Sequence, residues 1–294
     1  DVKLLFKNLF PYSGFEVVLD GAYLLPCFVF AGLAGAGAAS DKVASKPAVT
    51  LFDSLSNVCY IVMSFIIEIL SVGLIAISCK WTLDFIVVAK AGVYLPLILM
   101  LSIILVVVAG VIYPLIIRFL CHDHHPYRVL YACVAPFITA FFSGDENLAL
   151  SVNLRHGSES LGIRRRVNAF TYPLFSIFAR GGAALVETIC FTVILRSYSS
   201  LGISAVDAFW IAGAALLLSF CQCGLPTNGA FIAITLMCLQ YGRGFEAGYL
   251  LLKTAAPVIC SFAAGFNVIT AMFGSYIVAV KTGMISHKGL EKFI

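Results

Sequence analysis

The chain has 294 residues, of which 61% are hydrophobic and 12% charged, and its net charge at pH 7 is +4. A soluble domain carries about 25% charged residues, so this composition excludes a soluble protein and predicts an integral membrane protein. Long apolar runs favour an all-α, multi-span helical protein over a β-barrel. The modest charge gives no indication of a nucleic-acid partner, and the ten cysteines, scattered through apolar segments, predict no disulfide framework.

The N-terminal third predicts three membrane spans. Residues 1–20 mix apolar and charged positions, as an interfacial segment does, and the opening at Asp1 without an initiator Met leads us to expect a fragment. Spans are predicted at 21–39, 58–78 and 93–119, and Glu68 falls near the middle of the second. A run of small residues in the first span predicts a face for close helix packing, within or between subunits.

Residues 129–154 predict a re-entrant hairpin. Two short apolar arms enclose a polar turn that contains Asp145, Glu146 and Asn147. A span needs about 20 residues, so neither arm crosses the membrane alone, and irregular backbone at that depth must be buried in protein or line a wet cavity. The two acids either accept protons or pair with a cation, or they cap a turn in cytoplasmic water.

Residues 168–195 are long enough to span the membrane but are interrupted at Arg180. A charge at mid-membrane costs several kcal/mol unless it is paired or hydrated, so it is a functional hypothesis by default. Arg180 either binds a substrate carboxylate, or replaces a bound sodium ion as a fixed cation, or forms a structural ion pair. Four acids are candidates for that pair: Glu68, Asp145, Glu146 and Glu187.

Residues 206–241 predict a second re-entrant hairpin, with arms at 210–220 and 230–241. Its tip is rich in glycine, and the side chains of Thr227 and Asn228 and the backbone amides around Gly224 can hold a carboxylate. An ordinary turn is the alternative. The last span is predicted at 249–280.

Within that span, Pro257, Gly265 and Asn267 are expected to weaken the middle of the helix.

Topology follows from the Lys and Arg distribution. The loops at 40–47, 118–128 and 155–166 and the tail from 281 hold most of these residues, which predicts a cytoplasmic C-terminus in a plasma or inner membrane. One loop also carries a possible zinc-ligand cluster: Cys121, His122, Asp123, His124 and His125. The cluster lacks a standard ligand spacing, so a solvated loop and no metal site are expected.

Three local patterns then occur in a recognisable order. The second tip fits a Ser-x-Gly-x-x-Gly-x-Pro-x-x-Gly pattern, apart from Cys221 in the place of a glycine. The other matches are Phe170, Thr171, Pro173, Leu174, Gly182, Ala184 and Leu185, and then Asn267, Val268, Gly274 and Ser275. From about residue 8 to 293, the chain resembles the glutamate transporter family, the dicarboxylate/amino acid:cation symporters, from their fourth helix onward. Three earlier family helices have no counterpart here.

The resemblance implies a secondary transporter, not an enzyme, that works as an elevator. A transport unit (120–294) would slide against a scaffold (1–119), with the hairpins as gates, in a homotrimer within the lipid bilayer. It implies a small carboxylate or amino acid as solute, held here by Arg180, Asn267 and the two tips. Sodium is the expected coupling ion and a proton its competitor; the coupling candidates are Glu68, Glu146 and Glu187.

The chain differs from the family at positions that bind sodium or the substrate. The sodium-site motif of the family corresponds to residues 179–183 here, and its serine-rich first tip to residues 144–147. Its substrate-binding aspartate and arginine and a sodium-binding aspartate fall at Cys260, Ala263 and Ala271. The alternatives are therefore a sodium-independent or proton-coupled carrier, an anion channel or leak, and a binding protein that does not transport.

Overall fold

The structure is a computed structural model that describes residues 24–90, 92–123, 125–178, 180–198, 204–222, 229–242 and 244–286. The described part is helical, and its single isolated β-bridge joins Ile163 to Ile285. Four helices are long and apolar enough to cross a membrane. The predicted all-α membrane architecture is confirmed. The chain divides into two compact units at Ile66 and Ile67, and most of the site described below lies in the second.

The first two helices are α1, Leu24–Ser40, and α2, Lys46–Lys90. The small-residue run of α1 is largely exposed in this chain. The prediction of 58–78 for the second span was too short, because α2 has 45 residues, about 68 Å at 1.5 Å per residue. The hydropathy pattern marks only the apolar middle, whereas Lys and Ala at the ends of the helix are equally good helix formers.

The third span, Leu95–Cys121, agrees with the prediction apart from two residues at each end. It consists of α3, Leu95–Val107, a π-helical stretch, Val108–Ile112, and α4, Tyr113–Cys121. Pro114 opens α4. A proline inside a helix removes an N–H donor and crowds the carbonyl four residues earlier, and the wider π turn accommodates both effects.

The first hairpin region contains three helices: α5, Tyr127–Ala132, α6, Val134–Ser143, and α7, Glu146–Glu159. The chain reverses at Gly144, which has a φ of +67°, and Asp145 is the N-cap of α7. The predicted polar turn contained Asp145, Glu146 and Asn147, but Glu146 and Asn147 already lie in the first turn of α7, where an acidic residue is favoured.

The interruption of the next segment is confirmed. Helix α8, Arg165–Phe178, ends just before Arg180, and α9, Gly181–Tyr198, begins just after it. The second hairpin region has α10, Ala205–Cys221, and α11, Gly229–Tyr241. Its first arm has 17 residues rather than the 11 predicted, about 25 Å, which is still short of a hydrocarbon core of about 30 Å.

The last segment forms a 3₁₀ helix, Gly248–Ala255, followed by α12, Ala256–Lys281. The expectation of a weakened middle was wrong. Pro257 lies in the first turn of α12, where a missing N–H costs nothing, and the helix continues through Gly265. A Cβ at Gly265 would lie 2.6 Å from the ring of Phe137, so the glycine there permits close packing. Helix α12 is almost wholly buried, with α6, α7, α8 and α9 packed around it.

Candidate functional site

Two segments meet beside the middle of α12. One is the first turn of α7, and the other is the break between α8 and α9 together with the first turn of α9. Glu146, Arg180 and Asn267 are all buried there, with relative exposures of 8%, 4% and 2%. We call these three residues the junction. Polar groups at this depth must satisfy one another, because apolar surroundings offer no other partner.

One oxygen of the Glu146 carboxylate forms an ion pair with Arg180 and accepts a hydrogen bond from Asn267. Arg180 Nη1 lies 3.3 Å from Glu146 Oε1, and Asn267 Nδ2 donates to that oxygen at 2.6 Å. The contacts tie the first hairpin to the helix break and to α12. Of the four acids that the sequence left open as partners of Arg180, the structure pairs it with Glu146.

Asn267 also organises the start of α9. Its Oδ1 accepts a hydrogen bond from the backbone N–H of Ala183 at 2.9 Å, and so satisfies one of the donors that every helix N-terminus leaves unpaired. The two helices touch at Gly182, where a Cβ would lie 2.2 Å from Phe266 Cβ. No side chain fits there, so Gly182 brings the positive end of the α9 dipole against Asn267.

Glu187, a second buried carboxylate, lies on α9 seven residues after Arg180. Glu187 has a relative exposure of 0%, and its Oε1 accepts from the side-chain amide of Gln222, at the end of α10. Among the described residues, neither Glu187 Oε2 nor Arg180 Nε has a hydrogen-bond partner. Gln222 Oε1 lies 3.1 Å from a Cβ built on Gly229, so the two arms of the second hairpin approach each other here.

The two adjacent acids of the first hairpin have different surroundings. Asp145 is partly exposed and its Oδ1 accepts from the backbone N–H of Asn147 at 2.9 Å, whereas Glu146 is buried in the junction. Asn147 itself is exposed. The sequence treated Asp145 and Glu146 alike, since spacing does not reveal which side of a turn a side chain occupies.

Some predicted site residues lie elsewhere. Glu68 is exposed on α2 and does not join the junction. Gly224, Thr227 and Asn228 lie outside the described residues. Gln222 was missed as a partner of Glu187, although it is a polar residue within the predicted tip, and that position was the one available signal.

The loop after α4 is ordered by Asp123, which accepts hydrogen bonds from the Tyr276 hydroxyl and from the backbone N–H of His125. Partial burial opposes ionisation, but these hydrogen bonds outweigh it and lower the pKa of Asp123 below its usual value. Within the described residues, which omit His124, no three Cys, His, Asp or Glu side chains are placed to hold a metal ion.

Comparison with known proteins identifies the chain. It matches the sodium:dicarboxylate symporter family over residues 1–281. It is 24% identical to human neutral amino acid transporter A over 74% of this chain and 41% of that protein. Human neutral amino acid transporter B(0) is 26% identical over 39% of this chain and 21% of its own length, and the mouse protein 21% identical over 72% and 38%.

The chain thus spans less than half the length of these relatives. The family match extends over nearly the whole chain, and the helical membrane architecture and the helix interruption at Arg180 agree with the resemblance first drawn from local patterns. The chain belongs to the sodium:dicarboxylate symporter family.

Proposed function

We propose that the chain is part of a secondary transporter for a small organic anion or amino acid. The observation that carries the proposal is the junction, where a hairpin, a broken helix and the last helix bring a buried cation, a carboxylate and an amide together. Interrupted helices with charged groups at their ends are typical of the binding sites of transporters built from inverted repeats.

The proposed mechanism is an elevator in a homotrimer, with residues 120–294 moving against 1–119. This mechanism is supported by the packing of α6, α7, α8 and α9 around α12, because helices packed in this way can move together as a rigid unit. The exposed small residues of α1 suit a contact between subunits. In this mechanism the two hairpins are re-entrant and open in turn.

Sodium coupling is the expectation for the family, but we infer that Arg180 takes the place of one bound cation. Its guanidinium already neutralises Glu146, and Asn267 Oδ1 is occupied by the α9 backbone. A sodium ion needs oxygen ligands, and a fixed positive charge beside them repels it. A proton remains a possible coupling ion, because Glu187 keeps an oxygen that no described residue engages.

Uptake by purified protein in liposomes tests both the proposed transport and the proposed role of Arg180. Radiolabelled serine, lysine and succinate are offered with an inward sodium gradient, with choline in place of sodium, and with a pH gradient. We expect saturable uptake of at least one solute that does not require sodium. Sodium-stimulated uptake by the wild type would refute the role given to Arg180, and no uptake of any amino acid or dicarboxylate would refute the carrier.

A further inference from the structure

A cavity of about 370 Å³ lies beside the turn of the first hairpin, and none of the three junction residues lines it. Its walls come from α2, from the turn between α6 and α7, and from the first part of α12. The residues that matter for its chemistry are Lys80, Trp81, Asp84, Asp145, Cys260 and Ser261. The volume is within the range of small-molecule sites, which begins at about 300 Å³.

Three charged side chains line this cavity. Lys80 and Asp84 are one helical turn apart on α2, and Asp145 faces them from the hairpin tip. Among the described residues, none of the three forms an ion pair, although Lys80 and Asp84 have the spacing for one. Asp145 uses Oδ1 to cap α7, and no described group donates to its Oδ2.

The rest of the wall is rigid and largely apolar. Trp81 stacks on Phe85 at 5.1 Å and meets Phe142 edge-on at 5.2 Å. Its indole N–H donates to Ser261 Oγ at 2.8 Å, which fixes the ring between α2 and α12. A preorganised aromatic wall with a few charged groups is the usual design of a small-molecule site.

The charges specify the ligand. One ammonium and two carboxylates give the lining a net charge of −1 if all three are ionised, since one positive and two negative charges sum to −1. A cationic amino acid is the complement, because its carboxylate pairs with Lys80 and its two ammonium groups with Asp84 and Asp145. A neutral amino acid would bind more weakly than a cationic one, because it leaves one aspartate unpaired. A dicarboxylate would bind poorly, because it brings two negative charges to a site with one cation.

We propose that this cavity binds a cationic amino acid of the size of lysine or ornithine. The proposal rests on the proposed function in so far as the bound molecule is the transported solute. Binding itself requires no transport, so the two claims can fail separately. Lysine binding without uptake of any of the offered solutes would overturn the carrier, whereas uptake of a solute by a protein that does not bind lysine would overturn this site.

The test is binding of lysine, serine and succinate to the purified full chain in detergent, by isothermal titration calorimetry and thermal shift. We expect the order lysine, then serine, with no binding of succinate. Asp84→Asn and Asp145→Asn should each weaken lysine binding about tenfold or more, the effect of one charge-assisted hydrogen bond. Lys80→Met should weaken binding of both amino acids.

Matched controls lie on the same helix. Lys90→Met and Asp53→Asn change exposed residues outside the cavity and should leave lysine binding unchanged. As a second readout, Trp210→Phe leaves Trp81 as the one tryptophan of the chain, and lysine should change its fluorescence. Equal or tighter binding of succinate, or lysine binding that Asp84→Asn and Asp145→Asn weaken no more than the two control variants do, would overturn the proposal.

Discussion

Arg180 and Glu146 show how a membrane protein keeps two opposite charges in its interior. Each would be costly alone, and the shared contact with Asn267 leaves the carboxylate well satisfied. The chain also contains a surface pair of the same kind, since Arg155 and Glu159 meet at 3.1 Å with side-chain exposures of 39% and 55%. The two pairs differ in burial, and Arg155 and Glu159 also lie one turn apart on the same helix.

A pair of double-mutant cycles measures that difference. We expect Arg180→Met to destabilise the protein by about 3–5 kcal/mol, because it leaves a buried carboxylate without its cation. Glu146→Gln keeps an oxygen for Asn267 and should recover part of this loss in the double variant. Unfolding in detergent is followed by tryptophan fluorescence.

The control cycle uses Arg155→Met and Glu159→Gln. A surface pair at this spacing contributes about 0.3–0.5 kcal/mol. A coupling energy at the junction no larger than that of the surface pair would contradict the assignment of Arg180 and Glu146 as a stabilising buried ion pair.

Gly182 and Gly181 provide a second residue-level test. We expect Gly182→Ala to lower the melting temperature clearly, with a cost of about 1–3 kcal/mol or more, because its Cβ would collide with Phe266. Gly181→Ala has nothing within 4 Å of the new Cβ and should be neutral or stabilising, since alanine favours the helix. Similar melting temperatures for the two variants would argue against the close contact of α9 with α12.

At the scale of elements, the helix interruptions at Gly144 and Arg180 were predictable from the sequence, and the partners of the side chains beside them were not. Gly144 and Arg180 mark breaks because an isolated glycine turn or charge stands out against apolar arms. The pairing of Arg180 with Glu146 rather than Glu187 depends on packing over more than thirty residues, which no local pattern reports. The length of α2 was underestimated for a related reason, since hydropathy detects the bilayer core and not the end of a helix.

The reversal of the first hairpin depends on one left-handed residue. Gly144 has a φ of +67° and open space around its Cβ position, so Gly144→Ala tests backbone strain alone. We expect a loss of about 1–2 kcal/mol, the usual cost of that conformation for an L-residue. Gly213→Ala, in the middle of α10 and equally open, is the control and should be neutral or stabilising. An equal effect of both would show that the turn tolerates side chains.

At the scale of the whole molecule, α2 exposes apolar side chains along most of its length, among them Phe65, Ile69 and Val72. A helix that is apolar on all sides is not stable in water, so this surface must lie against lipid or other protein segments. Two of its charged residues, Lys80 and Asp84, fall near its C-terminal end at Lys90. We therefore expect the cavity beside Lys80 and Asp84 to lie towards one membrane surface.

The distribution of Lys and Arg among the loops predicts which segments of the chain lie in the cytoplasm. Because Arg164, Arg165 and Arg166 precede α8 and more Lys and Arg follow α12, both segments are expected in the cytoplasm. An epitope tag after Ile294 should then be detected by antibody only in permeabilised cells. A tag inserted between α11 and the 3₁₀ helix, in residues 242–247, is the control and should be detected in intact cells. The opposite pattern would reverse the predicted orientation of the chain in the membrane, and with it the side from which lysine would reach Asp84.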